Sequence, residues 1–409
     1  MCLQIGRVAQ LARASVLHTG CPGFESQLAH SLERGSAKAP YRIVFATVVK
    51  TGSITFAFTG GGSAGHVFPA FPVIDRLRDR GFNIIWLGSS HGIERELLRK
   101  IGVKYFAIPS GKLRRYFSFR NFADLFSIAL GFFASLRVLR REKPIALFSK
   151  GGFVSVPPVA AAAMLKIPAL THESDVSPGL ATRLNIKFGA RALVAHKRAL
   201  GYLSESAQKN TVVLGNPVRD MLLSGSPEEG RRLVGLSRGD ERPLILVLGG
   251  SLGAHEINSL VANSLDRLLS IAAIAHQTGS GSPPSQDSRG YMSQPFFSEE
   301  LPPLLAAANL AIARCGAGSL WELAATRTPA VFIPLREGTR GDQILNAALA
   351  EEAGMSITLE AKSGSDRLEE LVVKLLSNPT RLAEMSDAAS AFSSRGVADR
   401  IVEMLVEYR

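Results

Sequence analysis

The sequence predicts an α/β protein in which two domains, each a parallel sheet covered by helices, face each other. Two glycine-rich turns carry this prediction. Residues 60–66 follow the apolar run 54–58, and residues 249–254 follow the apolar run 244–248. Each turn stands where a buried parallel strand passes into a helix. Glycine lets the backbone approach a ligand closely and a helix N-terminus offers N–H groups, so we expect ligands between the domains.

The composition of the chain limits the classes of partner that the protein could bind and the compartment in which it could work. The 409 residues suffice for two or three domains, and the net charge of +12 favours a nucleic acid, an anionic membrane surface or a phosphorylated substrate. The three cysteines form no C-x-x-C pair, which gives neither a disulfide framework nor a zinc pattern and favours a reducing cytosol. No apolar run reaches the roughly 18 to 20 residues that span a bilayer, and we find no secretory signal.

The first 52 residues differ from the rest of the chain. Residues 1–47 show neither a helical stripe nor strand alternation, and residues 6–15 resemble a transfer-RNA gene translated in the wrong sense. We expect residues 1–52 to be a non-native or disordered extension, with genuine initiation near Val48 or Val49. A targeting arm is the alternative.

From Ile54 onward, short apolar runs alternate with amphipathic stretches, which is typical of a parallel sheet covered on both faces. Helices are predicted at 70–80 and 92–100. The predicted strands of the first domain are 54–58, 83–87, 105–108, 145–148, 169–172, 192–195 and 211–214.

The same alternation restarts at Leu244, after a polar segment at 215–243 that we assign to the domain boundary. The domains are accordingly predicted at 53–218 and 219–394, with a C-terminal helix near 395–409 packing back on the first. The predicted strands are 244–248, 272–276, 310–313, 330–334 and 355–359. The predicted helices are 254–269, 299–308, 318–326, 342–353, 381–393 and 397–408.

The first glycine turn matches G-x-G-x-x-G, but the second strand ends without the acidic residue that a dinucleotide site requires, which argues against NAD. His66 follows the turn at a helix start, where a neutral imidazole could take a proton from a hydroxyl; local capping is the alternative. A further glycine pair, Gly151-Gly152, and the polar run 172–175 also follow strands. All three loops should meet at one sheet edge.

In the second half, residues 314–322 follow a strand and open a helix whose small residues suit a diphosphate. Glu322 could accept two hydrogen bonds from a ribose diol, or could be a solvated helix carboxylate. Arg219 is either a phosphate clamp or a surface charge, and Asp342-Gln343 could bind sugar hydroxyls. No D-x-D pair occurs, which favours neutralisation of a diphosphate by helix N-termini and arginine rather than by a metal.

Residues 112–143 combine aromatic and basic side chains. Several of them share one face at helical spacing, and arginines flank that face. We interpret it as a surface for an anionic membrane, with a core-facing helix as the alternative and nucleic acid disfavoured because no reader motif accompanies it. The residues assigned to this surface are Arg114, Arg115, Phe117, Phe119, Phe122 and Phe126.

Taken together, the motifs resemble the MurG family of bacterial glycosyltransferases over residues 54 to 409. The motifs that carry the resemblance are 58–69, 151–154, 172–173, 215–219, 249–254, 276–279 and 342–343. The resemblance implies a GT-B fold, in which two Rossmann-like domains face each other across a deep cleft. It also implies transfer of N-acetylglucosamine from UDP-N-acetylglucosamine (UDP-GlcNAc) to the C4 hydroxyl of the muramoyl sugar in lipid I. Our hypothesis for this transfer is a direct, metal-independent displacement that inverts the anomeric centre. The product would be lipid II, made at the cytoplasmic face of the inner membrane without a cofactor.

In this hypothesis His66 is the catalytic base, and the acceptor pyrophosphate meets Gly61, Gly62, Gly151 and Gly152. The resemblance itself assigns the donor site. Donor-binding positions would be Ser63, Ala64, Gly65, Asp175, Arg219, Ser251, Phe297, Ala317, Gly318, Ser319, Leu320, Trp321, Glu322 and Gln343. The chain departs from the family pattern at 63–65, at Asp175, where asparagine is usual, and at Asp342, where glutamine is usual. The competing hypotheses are a hydrolysing UDP-GlcNAc 2-epimerase or a glycolipid synthase of the same fold, and a two-lobed binding protein.

Overall fold

The structure is a computed structural model that describes residues 54–62, 64–90, 92–111, 120–250, 253–279, 290–336, 341–392 and 394–409. The predicted N-terminal extension lies outside these residues. Two all-parallel sheets organise the described part of the chain. The predicted α/β architecture of two sheet domains is therefore confirmed.

The first sheet has seven parallel strands in the order β3-β2-β1-β4-β5-β6-β7. These strands are β1 Thr55–Thr59, β2 Asn83–Ser89, β3 Lys104–Ile108, β4 Ala146–Ser149, β5 Ala169–Glu173, β6 Arg191–Val194 and β7 Val212–Val213. Its helices are α1 Phe71–Asp79, α2 Ile93–Lys100, α3 Arg120–Glu142, α4 Val156–Met164, α5 Leu180–Lys187 and α6 Glu205–Lys209. The strand order reverses between β1 and β4, so the crevice of this sheet opens at their carboxyl ends.

The second sheet has six parallel strands in the order β10-β9-β8-β11-β12-β13, and it reverses between β8 and β11. The strands are β8 Leu244–Leu248, β9 Ala273–Gln277, β10 Tyr291–Gln294, β11 Leu310–Ala313, β12 Ala330–Phe332 and β13 Ser356–Thr358. The helices are α7 Pro227–Leu233, α8 His255–Asn263, α9 Leu265–Leu269, α10 Leu301–Ala307, α11 Ala317–Ala325, α12 Asp342–Glu352, α13 Gly364–Leu376, α14 Pro379–Ala388 and α15 Val397–Val406.

The chain passes between the two sheets twice. Val218 and Leu222, on the way from β7 to β8, already pack in the core of the second sheet. At the other end of the chain, α15 returns to the first sheet, where Ile401 and Val402 are fully buried against α1 and its neighbours. The apolar face of α15 therefore fastens the end of the chain to the domain in which it began.

Three elements of the second domain differ from the sequence prediction. Strand β10 and helix α13 were not predicted. The predicted helix 254–269 is two helices, because Ser264 leaves helical geometry (φ −100°, ψ 1°) between α8 and α9. Among the described residues, no helix combines the length and the apolar composition needed to cross a bilayer, α3 included.

Candidate functional site

Both sheets contribute their strand ends to one cleft of about 700 Å³. His66 lines it from the first domain and Glu322 from the second, so the two side chains on which the sequence argument depended share a continuous groove. The loops after β1, β4 and β5 converge at one edge, as the sequence predicted for parallel strands. The cleft is thus built from loop residues held by two rigid sheets.

Close backbone contact explains the glycines at this edge. Gly152 has a positive φ of 75°, and a Cβ atom there would meet the carbonyl oxygen of Gly61 at 2.4 Å. Gly62 also has a positive φ, of 86°, with the Phe153 ring against it. Any larger residue would separate the turns, because L-residues avoid this backbone region and the added atom would overlap the neighbouring turn.

His66 ends a short 3₁₀ helix, Ala64–His66, directly after the first glycine turn. Its Nδ1 lies 3.1 Å from the carbonyl oxygen of Lys150. A carbonyl oxygen can only accept, so Nδ1 carries the proton and, in the neutral ring, Nε2 carries the lone pair. The backbone at Lys150 therefore holds His66 in the tautomer that a general base requires.

Glu173, predicted only as part of a polar loop, is a buried anchor. Its carboxylate accepts hydrogen bonds at 2.7 to 3.2 Å from the N–H groups of Ser174, Asp175 and Gly179 and from the Thr182 hydroxyl. Four donors to one carboxylate compensate its burial. Glu173 thus shapes the loop that follows β5.

Lys150 is a buried residue that the sequence analysis missed. Its Nζ donates to His172 Nδ1 at 2.6 Å and to the Ser174 hydroxyl at 2.8 Å, while His172 Nε2 donates to the Gly215 carbonyl at 2.9 Å. Burial lowers the pKa of Lys150 to about 7 and lowers the pKa of His172 well below its usual range. A charged residue directly before Gly151-Gly152, at the end of a buried strand, was the available sequence signal.

Asp175 lines the cleft and also joins the two domains. Its Oδ1 accepts a hydrogen bond at 3.0 Å from the side-chain amide of Asn346, on α12 of the second domain. The same amide donates to the Cys315 carbonyl, and its oxygen accepts from the Val176 N–H group. Asn346 is fully buried. One amide therefore fixes the loop after β5 against the second sheet.

We expect Asn346→Asp to weaken this junction more than Asn346→Ala. Aspartate would bring a second carboxylate to Asp175 and would lose the two N–H donors, so a buried like-charge contact replaces a hydrogen bond. The expected loss of unfolding free energy is about 3 kcal/mol for aspartate and about 1 to 2 kcal/mol for alanine. Urea denaturation measures both. Equal losses of unfolding free energy in the two variants would show that the Asp175 carboxylate does not interact electrostatically with residue 346.

Arg219 and Glu322 were predicted as separate ligand contacts, and the structure pairs them. Arg219 Nη2 donates to Glu322 Oε1 at 2.9 Å, and the guanidinium lies over the Phe68 ring at 4.5 Å from its centroid. Burial raises the pKa of the Glu322 carboxyl, and the arginine opposes that rise. Among the described residues, no acceptor lies within hydrogen-bond distance of the buried Arg219 Nε. Arg219 itself lines the cleft, where its guanidinium is suited to an anion.

Helix α11 begins at the cleft wall, and Ala317, Gly318 and Ser319 in its first turn line the cleft. Leu320 and Trp321 do not. Both are almost fully buried, and Trp321 packs edge-on against Phe392 at 5.4 Å. The prediction that these two contact the donor is corrected, because consecutive helical residues point to different sides and this pair faces the core.

Gln277 organises the second glycine turn. Its amide donates to the Gly250 carbonyl at 3.2 Å, and its oxygen accepts from the Phe297 N–H group at 3.0 Å. Phe297 is itself buried in the core, and Phe296 beside it lines the cleft. The Phe297 side chain and N–H group are thus engaged inside the domain, and the backbone contact to uracil that the resemblance implies near Phe297 stays a prediction.

Gln343 lies in the cleft wall at the start of α12, where its side-chain oxygen accepts from the Leu335 N–H group at 2.9 Å. Gly65 lines the cleft beside His66. Ser63 and Ser251 lie outside the described residues, and of Ala64 only the backbone is described.

The glycines predicted to meet the acceptor pyrophosphate are partly engaged within the protein. The Gly62 N–H group donates to the buried Glu94 carboxylate at 3.4 Å, and the Gly151 N–H group donates to the Ser149 hydroxyl at 3.1 Å. The contact of these four glycines with the pyrophosphate stays a prediction. Within the described ranges, no three His, Cys, Asp or Glu side chains are arranged to hold a metal ion.

The predicted membrane residues fall on or before α3. Arg114, Arg115, Phe117 and Phe119 lie outside the described residues, and the Phe122 side chain is not described. The outer face of α3 exposes Phe126 and Phe133 by about two thirds of their area, together with Leu125 and Leu130. Four large apolar side chains exposed on one helix form a patch of the kind that marks an interaction surface.

Two family models match the chain. The glycosyltransferase family 28 N-terminal domain matches residues 56–194, and the glycosyltransferase family 28 C-terminal domain matches residues 244–401. The first match runs from β1 to β6 of the first sheet, and the second match includes all six strands of the second sheet.

Individual proteins are also similar to this chain. UDP-N-acetylglucosamine–N-acetylmuramyl-(pentapeptide) pyrophosphoryl-undecaprenol N-acetylglucosamine transferase from Treponema denticola is 37% identical over 383 residues, which cover 86% of this chain and 97% of the relative. The enzyme of that name from Clostridium kluyveri is 39% identical and is covered to 98%. The crystal structure of MurG from Acinetobacter baumannii superposes with a TM-score of 0.67 at 24% identity, over 86% of this chain and 99% of that one, which shows a shared GT-B fold.

Proposed function

Because this chain belongs to the MurG family within glycosyltransferase family 28, we propose that it transfers N-acetylglucosamine from UDP-GlcNAc to lipid I. Lipid I is undecaprenyl-pyrophosphoryl-N-acetylmuramyl-peptide, and the product is lipid II, a peptidoglycan precursor. The observation that carries the proposal is the shared cleft, with an imidazole on one wall and an arginine–glutamate pair on the other.

The cleft supports a direct displacement. His66 Nε2 takes the proton from the C4 hydroxyl of the muramoyl sugar, and the resulting oxygen attacks the anomeric carbon of the donor. The bond from that carbon to the β-phosphate oxygen breaks, and UDP leaves with the bonding electrons. Attack from the side opposite the leaving group inverts the anomeric centre. The Nδ1 contact to Lys150 supports this role, because it keeps the lone pair on Nε2.

The donor diphosphate fits between Arg219 and the start of α11. The unsatisfied Nε of Arg219 and the N–H groups of the first helical turn supply positive charge without a metal. Ser251, at the second glycine turn, is proposed to join them. Glu322 accepts the ribose hydroxyls, which requires its present bond to Arg219 to be shared or exchanged when UDP binds.

The acceptor is carried by a lipid, so the enzyme must reach a membrane surface. We place that contact at α3, whose exposed face carries Phe126 and Phe133 and whose last two turns carry Arg137, Arg140 and Arg141. Apolar side chains with flanking arginines suit the surface of an anionic membrane. The proposed location is therefore peripheral, at the cytoplasmic face of the bacterial plasma membrane.

Replacing Phe126 and Phe133 together by glutamate is expected to lower binding to phosphatidylglycerol vesicles by at least about tenfold. Each change removes apolar area that the membrane would bury and adds a negative charge that the anionic lipid repels. Vesicle co-sedimentation measures this. Met221, an exposed apolar residue of the segment between the domains, is the matched control as Met221→Glu. If the control and the double variant bind equally, α3 is not the docking face.

The proposed activity is tested with labelled UDP-GlcNAc, with and without a lipid I analogue, and with and without a chelator. The proposal predicts a β-linked disaccharide product only when the acceptor is present, at the same rate in the chelator. Donor turnover without acceptor would instead indicate an epimerase or hydrolase. Loss of transfer in the chelator would overturn the metal-independent mechanism.

A further inference from the structure

Among the residues that the structure describes, Lys150 is the one buried lysine. The proposed reaction does not use its ammonium group. The residue is 2% exposed, at the end of β4, between the His66 turn and the loop after β5. A buried ammonium is costly unless nearby groups compensate it. Its surroundings therefore need an explanation.

Two carboxylates supply the compensation without touching the ammonium. Glu173 and Asp175 both stabilise the charged form of Lys150 electrostatically. The ammonium itself contacts His172 and Ser174. The Ser174 hydroxyl, between the two carboxylates in sequence, accepts from Lys150 Nζ at 2.8 Å and donates to Asn216 Oδ1 at 2.6 Å. Asn216 belongs to the segment that leads into the second domain. The lysine thus fixes the residue that separates the two carboxylates.

The backbone of Lys150 bonds to the segment that carries His66. Its N–H group donates to the Thr59 carbonyl at 2.9 Å, and its carbonyl accepts from His66 Nδ1 at 3.1 Å. One residue is consequently bonded both to the proposed base and to the loop that presents Asp175 to the cleft. The distance between His66 and Asp175 therefore depends on the position of Lys150.

We propose that Lys150 is a positioning residue that forms a functional unit with Asp175. Its hydrogen bond to Ser174 holds the loop that presents Asp175 to the cleft in register with His66, and its positive charge compensates the Asp175 carboxylate. This inference rests on the proposed function and on the assignment of Asp175 to the donor site, where we take it to contact the transferred sugar. It predicts that the contributions of Lys150 and Asp175 to the reaction depend on each other, although the two residues share no direct hydrogen bond.

The proposal is tested by a double-mutant cycle with Lys150→Met and Asp175→Asn. Methionine keeps the length of lysine but removes charge and donors, so Asp175 loses a nearby positive charge, whereas Glu173 keeps its four hydrogen-bond donors. We expect K150M to lower kcat by about a hundredfold and D175N by no more than about tenfold. The double variant should regain most of the loss of K150M, because the asparagine removes the carboxylate that the lysine compensates.

Two further measurements separate positioning from packing. The inhibition constant of UDP should stay within about twofold of wild type in all variants, since UDP lacks the sugar that Asp175 contacts. Lys150→Gln, which keeps a donor but no charge, should lose activity like K150M and should also be rescued by D175N. If K150M does not fold, the glutamine variant and its double partner complete the cycle.

The outcomes are distinguishable from failure of the proposed function. A wild-type protein that makes no disaccharide overturns the proposed activity itself. A wild-type protein that transfers sugar, with single losses that multiply in the double variant, overturns only the pairing of Lys150 with Asp175. Wild-type kcat in K150Q would also overturn it, because charge would then be unnecessary.

Discussion

Replacing His66 by alanine is expected to lower kcat by roughly a thousandfold, with UDP bound as tightly as by the wild type. The reason is that Nε2 is the proposed acceptor for the proton of the attacking hydroxyl, whereas UDP is held on the other wall of the cleft. Steady-state kinetics with a lipid I analogue gives kcat, and calorimetry with UDP gives the binding constant.

His66→Gln is the matched control for shape. Glutamine can still donate a hydrogen bond to the Lys150 carbonyl but is no base at neutral pH, so kcat should remain low. His196, a half-buried histidine, caps a short 3₁₀ helix outside the cleft. Its replacement by glutamine controls for the loss of a histidine that does not line the cleft. Activity near the wild-type level in H66Q would mean that His66 orients the acceptor and that the proton leaves by another route.

Replacing Arg219 by methionine is expected to have the second largest effect, and it should appear in both binding and stability. The donor diphosphate loses a charge-assisted contact, which should raise KM for UDP-GlcNAc by about ten- to a hundredfold. Glu322 loses its partner in a site where its side chain is only 22% exposed. The expected loss of unfolding free energy is about 1 to 3 kcal/mol at neutral pH.

The stability loss should depend on pH with a defined sign. Burial raises the pKa of the Glu322 carboxyl in the folded state, and the guanidinium opposes that rise. Without Arg219 the folded pKa rises further, so the folded protein holds the proton more tightly than the unfolded chain does. The destabilisation of R219M should therefore be full above that pKa and should shrink as the pH falls toward 4.5, the ordinary value for glutamate.

The double variant Arg219→Met, Glu322→Gln separates the two effects. Glutamine removes the uncompensated charge, so stability should return toward the wild-type value while KM for the donor stays high. Recovery of donor binding in the double variant would contradict the role of Arg219 at the diphosphate. A pH-independent stability loss in R219M would contradict the role of Glu322 as its buried partner.

Periodicity sufficed to predict the two sheets, because buried parallel strands are continuous apolar runs bounded by glycine turns. Strand β10 lacks that signal: it begins Tyr291-Met292-Ser293, directly after the polar stretch 280–289. Helix α13 is strongly amphipathic, yet its first residues, Gly364-Ser365-Asp366, are typical of a loop. The break at Ser264 depends on local backbone geometry that apolar spacing does not report.

The site was predictable where a residue sits at a strand end, and not where a partner decides its role. His66, Arg219, Glu322 and Gln343 all line the cleft. Trp321 is in the core because Phe392, seventy-one residues later, packs on it. Asn346 acts through contacts between the two domains, and no local pattern marks it. Lys150 stands out in sequence as a charged residue at the end of a buried strand, but its partners His172 and Ser174 become visible only in the fold.

A crystal structure of the protein with UDP-GlcNAc would show whether donor and base face each other in the cleft. We expect the ribose hydroxyls at Glu322, the diphosphate between Arg219 and the first turn of α11, and the anomeric carbon facing His66 across the open part of the cleft. A sugar nucleotide bound elsewhere, or bound with its anomeric carbon turned away from His66, would contradict this expectation.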